Sequence, residues 1–402
     1  MAFTQATMQP KRAFPFEFFA LCAVTLLALC NVAVFYNFHV YLLTIGLNGK
    51  AAGFIIGLYS LTAMALYWVA SRHIRLTNAI ACLRAGILAV AFCGVAYLLA
   101  DRFWSLAMVR IAHGAGIFLV MASCMVILVA IMPPKKTGMA FSLYSVAMLA
   151  PYSIMPAVSE MLLPMTDSPT RIYLATAGLL LPALGILPTI RRRVHGRLPL
   201  SDLNREDALE RGAETKNLFR QPVISILLVN SIYFTLFSAL FFLFEGFGIK
   251  RGVKNPGFFF TLQMGVMIAI RLFGGRLFDT VSKVALVAVA FLLTGIGFLL
   301  LQLTPDPAWI LPIAVVFGTG MGLSVPPLNS LMYLVTHPRY RGYNANMMML
   351  SVHLGSFLGP FVGAWMIEAG GYDLFLTAAF LLTGIAAGFF VVANPAKGIQ
   401  TA

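Results

Sequence analysis

Long apolar runs separated by short polar loops dominate the hydrophobic pattern of this 402-residue chain. A bilayer core about 30 Å thick requires about 20 predominantly apolar residues per helical span, and most of the runs reach that length. The pattern therefore predicts twelve membrane-spanning helices, six before and six after a polar stretch at 191–216. The predicted spans are 17–44, 50–71, 78–100, 103–132, 139–163, 171–190, 217–248, 257–275, 284–303, 308–335, 343–369 and 374–393.

The amino-acid composition excludes a water-soluble fold. Hydrophobic residues make up 60% of the chain and charged residues only 10%, whereas soluble domains carry about 25% charged residues. Unbroken apolar runs favour helices over a membrane β-barrel, whose strands alternate in short segments. The five cysteines lie within predicted spans without a C-x-x-C pair, and no G-x-x-x-x-G-K-[ST] motif is present, so we predict no metal site and no cofactor.

Basic residues are distributed unequally between the two sides of the predicted bundle. Of the 28 lysines and arginines, nineteen fall at one predicted face of the membrane and six at the other. Because basic loops mark the cytoplasmic side, this asymmetry predicts that both termini and the polar stretch are cytoplasmic. The placement accounts for the net charge of +14 without nucleic acid, which we do not expect as a partner.

The polar stretch is interpreted as a cytoplasmic linker between two domains. Within it, 201–212 is typical of a short surface helix, with Ser201 as N-cap and Gly212 as the stop. The three arginines at 191–193 either anchor the chain by the positive-inside rule or contact anionic lipid headgroups. The predicted organisation is an N-terminal bundle, a linker and a C-terminal bundle, at 1–190, 191–216 and 217–402.

Three pairs of segments recur in the same order in the two halves. The loop after the eighth span, RLFGGRLFDTVSK (271–283), corresponds to YWVASRHIRL (67–76) after the second. The loops MPPKKTG (132–138) and HPRYRG (337–342) correspond, as do the proline-containing segments MLAPYSIMP (148–156) and GSFLGPFVG (355–363). This order indicates a duplication, and halves related by an axis along the membrane normal are a known transporter architecture.

In these motifs the sequence resembles the major facilitator superfamily over essentially the whole chain. Gly275, Asp279 and Lys283 match the glycine, acid and basic residue of the family's loop after the second span of each half. RIAHGAG (110–116) matches its R-x-x-x-G-x-G pattern in the fourth span. The resemblance implies an all-α membrane protein, with twelve transmembrane helices in two pseudo-symmetric six-helix bundles and both termini cytoplasmic.

By the same resemblance, the charged loops are expected to form a cytoplasmic latch whose ion pairs exist only in the outward-open state. The first copy departs from the family pattern, because Tyr67 replaces the glycine and Ser71 the acid. The latch is therefore expected to be asymmetric, and the alternative is a positive-inside loop with one neutralising acid. The predicted gate residues are Arg72, Arg75, Arg271, Gly275, Arg276, Asp279 and Lys283.

Ionisable residues within the spans are candidates for substrate binding or coupling, because burying them in lipid is unfavourable. Arg110 and His113 lie three residues apart on one face of the fourth span, where they can bind an anionic group; the alternative for Arg110 is a structural tie between helices. Glu245, near the outer end of the seventh span, can carry a proton or pair with basic residues at the interface. Glu160 in the fifth span is a weaker candidate of the same kind.

In the family, spans one, four, seven and ten line the central cavity, and several polar or aromatic residues fall in these spans. His353 in the eleventh span either lines the cavity or forms an interhelical contact. The resemblance thus implies substrate contacts at Asn31, Tyr36, Asn37, Asn230, Tyr233, Asn329 and Tyr333, beside the candidates Arg110, His113, Glu245 and His353.

The function expected from these features is secondary transport by alternating access in a bacterial-type inner membrane. We expect proton-coupled efflux of a metabolite or drug-like compound; the alternatives are proton-coupled uptake of a small organic anion and a transport-inactive sensor or assembly partner. The expected partners are a small-molecule solute, protons and membrane lipids, with the protein a monomer. Motifs such as H-E-x-x-H and G-x-S-x-G are missing from the sequence, so an enzyme is not expected.

Overall fold

The computed structural model describes residues 14–132, 137–195, 220–304, 306–337 and 340–397. All regular elements in these ranges are helices, as the apolar pattern requires of a chain whose backbone must satisfy its own hydrogen bonds in lipid. The linker segment predicted as a helix at 201–212 lies outside the described residues, as do 133–136 and 338–339 of the paired basic loops.

The first half contributes six spans, α1 to α6. Helix α1 contains one turn of 3₁₀ helix at Val34–Asn37, and α6 extends to residue 194 instead of ending at 190 as predicted. The three arginines at 191–193 therefore belong to the last turn of α6, where positive charge is favourable at a helix C-terminus. The bounds are Phe16–Thr44, Gly49–Val69, Ala79–Leu99, Phe103–Ile131, Thr137–Leu162 and Pro169–Val194.

The second half repeats this arrangement in α7 to α12. Four of its spans are Gln221–Lys250 (α7), Gly257–Phe273 (α8), Lys283–Leu303 (α9) and Ile310–Val335 (α10). The last two form one helical run, Arg341–Ala393, broken at Gly370 and Gly371, so that α11 covers 341–369 and α12 covers 372–393. Gly371 has φ +72°, a left-handed conformation that glycine adopts without strain. The twelve predicted spans are thus confirmed.

The two halves meet along two helix pairs, α2 with α11 and α5 with α8, and α1 contacts α7 between them. Small residues permit the close approach: a side chain at Gly57 would meet the ring of Phe357 at 2.6 Å, and one at Gly53 would meet the β-carbon of Ala364 at 2.7 Å. Large apolar side chains such as Phe92, Leu99 and Trp104 are exposed. That exposure is what a bilayer, in place of water, allows.

Candidate functional site

Arg110 lies deep in the first half, near the 3₁₀ turn of α1. Its side chain is 2% exposed, and its guanidinium carbon lies 4.7 Å from the ring centroids of both Phe35 and Phe38. The Nη2 group donates to the carbonyl oxygen of Ile56 at 3.3 Å and Nη1 to the hydroxyl of Tyr97 at 3.5 Å. Both hydrogen bonds are long, so the charge is held chiefly by aromatic faces.

The charge of Arg110 has no counter-ion in the described part of the chain. No carboxylate there lies within ion-pair distance of the guanidinium, and its Nε group has no hydrogen-bond partner among the described residues. Buried charges in proteins are ordinarily paired. An uncompensated guanidinium at this depth can therefore bind an anionic or strongly dipolar group from outside the first half.

His113 shares the Tyr97 hydroxyl with Arg110. The His113 Nδ1 atom lies 3.3 Å from that oxygen, and its ring packs against Phe35 and Tyr59. Its other nitrogen, Nε2, is buried and makes no hydrogen bond to any residue the structure describes. The spacing of three residues in α4 thus brings both side chains to one hydroxyl group.

The turn at Val34–Asn37 positions a second polar group beside this cluster. Tyr173 stacks on Phe35 with ring centroids 4.2 Å apart and donates a hydrogen bond to the Oδ1 atom of Asn37 at 2.7 Å. A mid-helix 3₁₀ segment often marks a functional hinge. Here it lies where α1 contacts both halves.

On the other side of the turn, Tyr36 projects into the interface between the halves. It is fully buried, with its ring against Phe241 of α7 and Phe260 of α8. The carboxylates of Glu160 and Glu245 both lie within electrostatic range of its hydroxyl, and the Glu160 carboxylate interacts with it as a long hydrogen bond. One tyrosine of the first half is thus adjacent to an acid from each half.

Glu245 and Glu160 differ in how they are held. Glu245 is 4% exposed, and its Oε2 atom is without a hydrogen-bond donor within the described ranges. Glu160 is half-buried and accepts a hydrogen bond at 3.0 Å from the backbone N–H of Gly257, the first residue of α8. Glu245 is therefore the carboxylate with the least support for its charged form.

Three of the four predicted contacts in the second half are engaged with neighbouring helices of the same half. Asn230 donates to the Ser351 hydroxyl at 2.8 Å, and Tyr233 donates to the carbonyl oxygen of Met321 at 3.2 Å. Tyr333 is 56% exposed and carries Arg341 over its ring at 3.8 Å, and Asn329 is also exposed. These four residues are spread along the half and do not form one cluster.

Two further candidates occupy different positions. His353 stacks on Tyr67 of α2 with centroids 5.2 Å apart, so it belongs to the contact between halves. Asn31 is buried one turn before the Val34–Asn37 segment.

The cluster around Arg110 is formed by residues of α1, α2, α3, α4 and α6. In the sequence, its aromatic residues cannot be distinguished from residues that only pack.

Two cavities lie away from this cluster. One of about 440 Å³ lies between α8 and α10 and is lined by apolar residues such as Phe258 and Leu311. The other, about 60 Å³, lies between α7, α11 and α12. Neither borders Arg110, whose low exposure indicates that in this conformation the described helices are closed around it.

The residues predicted to form the cytoplasmic latch lie in two loops, one in each half. Asp279 and Arg276 are exposed on the short helix Gly275–Thr280, and within the described chain neither they nor Lys283 have an ion-pair partner. Arg72 contacts its neighbour His73, and Arg75 lies in the same loop of the first half. Arg271 is half-buried in the last turn of α8, within electrostatic range of Tyr233.

At the outer side, in contrast, an ion pair and hydrogen bonds connect the two halves. Lys50 of α2 forms an ion pair with Glu368 of α11 at 3.6 Å. Ser153 of α5 and Thr261 of α8 each donate a hydroxyl hydrogen bond to the other's carbonyl oxygen, at 3.1 and 2.7 Å. The conformation therefore combines contacts between the outer ends of the halves with no ion pair at Arg276, Asp279 or Lys283 within the described residues.

The sequence is similar to those of known transporter proteins. The sequence model of the Major Facilitator Superfamily matches residues 20–360. A segment of 141 residues is 28% identical to proteins named multidrug resistance protein MdtH from Yersinia enterocolitica and Yersinia pestis. That segment spans 35% of this chain and about a third of the length of these relatives.

Several solved structures share the fold. An inward-facing, unoccupied bacterial homologue of the human lysosomal transporter Spinster superposes with a TM-score of 0.68 at 14% identity, covering 98% of this chain and 99% of the other. The human organic anion transporter MFSD10 (TETRAN) has a TM-score of 0.68 at 18% identity, with 95% and 100% covered. The nucleoside transporter NupG has a TM-score of 0.68 at 13% identity, with 94% and 98% covered.

Proposed function

This chain belongs to the Major Facilitator Superfamily, a family of secondary transporters, and we propose that it exports a small organic solute in exchange for protons. The proton is carried by Glu245, and the solute binds next to the cluster around Arg110. The membrane that it serves is the inner membrane of a bacterial-type cell. The 28% identity to proteins named for multidrug resistance supports export as the direction.

The observation that carries this proposal is the position of Glu245. A carboxylate buried in the membrane with an unsatisfied oxygen takes up a proton readily, because the neutral form needs less solvation. Its neighbour Tyr36 belongs to the other half, so a change in charge at Glu245 alters the contact that separates when the halves rock. Proton binding at Glu245 is thereby coupled to the opening and closing of the outer side.

A second candidate function is supported by the uncompensated charge of Arg110. An organic anion entering the cluster would supply the missing counter-ion, and charge-assisted hydrogen bonds to a guanidinium are among the strongest in proteins. A symporter that takes up such an anion together with a proton would use the same residues. The two candidates differ in the relative direction of solute and proton.

Flux in everted membrane vesicles distinguishes these functions. With an acid interior, an exchanger presented with its solute on the outside releases protons as solute enters, and an acridine dye inside recovers its fluorescence. A symporter moves protons and pre-loaded solute out together, and external solute then gives no recovery. The test solutes would be a panel of lipophilic amines and aromatic carboxylates. The absence of flux with external solute and with pre-loaded solute would favour a transport-inactive sensor.

We predict that Asp279→Asn lowers solute flux about tenfold while the protein still reaches the membrane. Asp279 is the acid of the latch in the second half, and without its charge the ion pairs of the outward-open state are weakened by about 1 kcal/mol or more. Initial flux rates in vesicles with matched protein content measure this effect. Glu17→Gln, which removes an acid at the same side of the membrane away from the latch, serves as the control; unchanged flux in Asp279→Asn would exclude the latch.

A further inference from the structure

Two carboxylates at the outer face each hold the start of a helix that belongs to the opposite half. Glu368 of α11 accepts a hydrogen bond at 2.9 Å from the backbone N–H of Lys50, in the first turn of α2. Glu160 of α5 accepts one at 3.0 Å from the backbone N–H of Gly257, the first residue of α8. We call these two contacts the outer clasps.

The clasps are related by the duplication of the chain. Helices α5 and α11 occupy equivalent positions in the two halves, as do α2 and α8. Glu160 follows Pro151 by nine residues and Glu368 follows Pro360 by eight, so each acid lies between two and two and a half turns beyond the proline of its helix. A contact made once by chance would not be expected twice at equivalent places.

The helix starts also match. Both α2 and α8 begin with glycine, at Gly49 and Gly257. A β-carbon at Gly49 would lie 3.1 Å from the Oε2 atom of Glu368, and one at Gly257 would lie 2.6 Å from the backbone nitrogen of Ala157. Glycine at these two positions therefore allows the end of the opposing helix to approach the exposed N–H groups.

The chemistry of a helix start explains why an acid is used. The first four N–H groups of a helix have no partner within the helix, and they carry a partial positive charge. A carboxylate that accepts one of them is stabilised, and it loses that interaction when the helix moves away. Since donor and acceptor come from different halves, each clasp exists only while the outer side is closed.

We propose that Glu160 and Glu368 are a symmetric pair of gate residues that close the outer side of the transporter by binding the helix starts of the opposite half. The proposal requires only that the halves rock between two states. It does not depend on the solute, the direction of transport or the use of protons. Its failure and the failure of the proposed function are therefore separate results.

The two clasps are not equally exposed. Glu368 is 36% exposed and is also paired with the 52% exposed Lys50 ammonium group at 3.6 Å. Glu160 is half-buried, next to Tyr36, so its interaction with the helix start is screened less by water and salt. Removal of the Glu160 charge is therefore expected to open the outer side more than removal of the Glu368 charge.

The distance between the outer ends of the halves tests the proposal. We would place nitroxide labels at Met165→Cys and Lys254→Cys, which are exposed on different halves, in a background without the five native cysteines, and measure the distance distribution in nanodiscs by double electron–electron resonance. Glu160→Gln should raise the ratio of separated to closed outer ends about tenfold, Glu368→Gln about threefold, and the double variant about 30-fold.

A matched control separates gating from a general effect of surface charge. Asp306 also caps a helix start at the outer face, accepting from the N–H of Ala308 at 2.9 Å, but within one half. Asp306→Asn should leave the distribution unchanged. A wild-type distribution in the double variant, or an equal shift in Asp306→Asn, would overturn the proposal.

A measurement on the wild-type protein covers the case in which the variants do not fold. Because both clasps open in the same rocking motion, the amides that begin α2 and α8 should exchange with deuterium at similar rates. Those rates should rise together when a conformation-selective antibody fragment favours the outward-open state. Independent exchange of the two helix starts would refute the symmetric gate.

Discussion

We expect Arg110→Met to lower solute flux about a hundredfold without lowering the midpoint of thermal unfolding. The side chain of methionine fills much of the same volume but removes the charge and its donors. If the solute or a coupled group accepts two charge-assisted hydrogen bonds from the guanidinium, their loss amounts to about 3 kcal/mol, or two orders of magnitude in binding. Flux in vesicles and unfolding in detergent measure the two quantities separately.

The expected absence of a decrease in the unfolding midpoint follows from the contacts of Arg110. A charged arginine near the centre of a membrane helix is unfavourable by about 2.5–3.5 kcal/mol, whereas each ring contact returns about 0.5–2 kcal/mol. The two hydrogen bonds, at 3.3 and 3.5 Å, are too long to add much. Replacing this charge by an apolar chain is therefore expected to be neutral or stabilising, as for other buried charges.

The opposite outcome has a definite meaning. If Arg110 is a structural tie between α4 and its neighbours, Arg110→Met should lower the unfolding midpoint while the folded fraction still transports. Arg84→Met is the matched control, because Arg84 is an arginine of the adjacent helix α3 whose side chain is exposed. It should change neither quantity.

The fold was predictable from the sequence because lipid imposes a strict requirement on it. Backbone exposed to lipid in the bilayer core must belong to a helix or a closed barrel, so run length alone located twelve spans to within a few residues. The end of α6 was placed too early, since the arginines at 191–193 were assigned to the linker. Charged residues at a helix C-terminus resemble a loop when only hydropathy is considered.

The candidate site was predictable only where it depends on spacing along one helix. Arg110 and His113 are three residues apart in α4, and their common partner Tyr97 comes from α3. Contacts between distant segments leave no periodic signal, as in the bond between Glu160 and Gly257 or that between Lys50 and Glu368. Charged and polar groups inside the spans therefore identified candidates, whereas their partners required the three-dimensional arrangement.

We expect Glu245→Gln to abolish accumulation of solute driven by a proton gradient while solute still equilibrates across the membrane. Glutamine keeps the size and the hydrogen-bonding capacity of the side chain but cannot bind and release a proton. Gradient-driven flux should fall about tenfold or more, because a gradient acts only through a group whose proton binding differs between the two states. Exchange of labelled solute without a gradient should remain within about twofold of the wild-type rate, because the halves can still rock.

The comparison that decides this prediction uses two further variants. Asp373→Asn removes an exposed acid at the outer end of the same half and should leave driven flux unchanged. Glu245→Asp retains a titratable group but withdraws it from Tyr36, so it should keep coupling at a reduced rate. If the Glu245→Gln variant accumulates solute to the wild-type level, another residue carries the proton. If the variant loses both driven flux and exchange, the side chain serves to hold α7 against α1. Only the loss of driven flux with exchange preserved assigns the proton to Glu245, because protonation at this carboxylate is then required for the gradient to act and not for the motion itself.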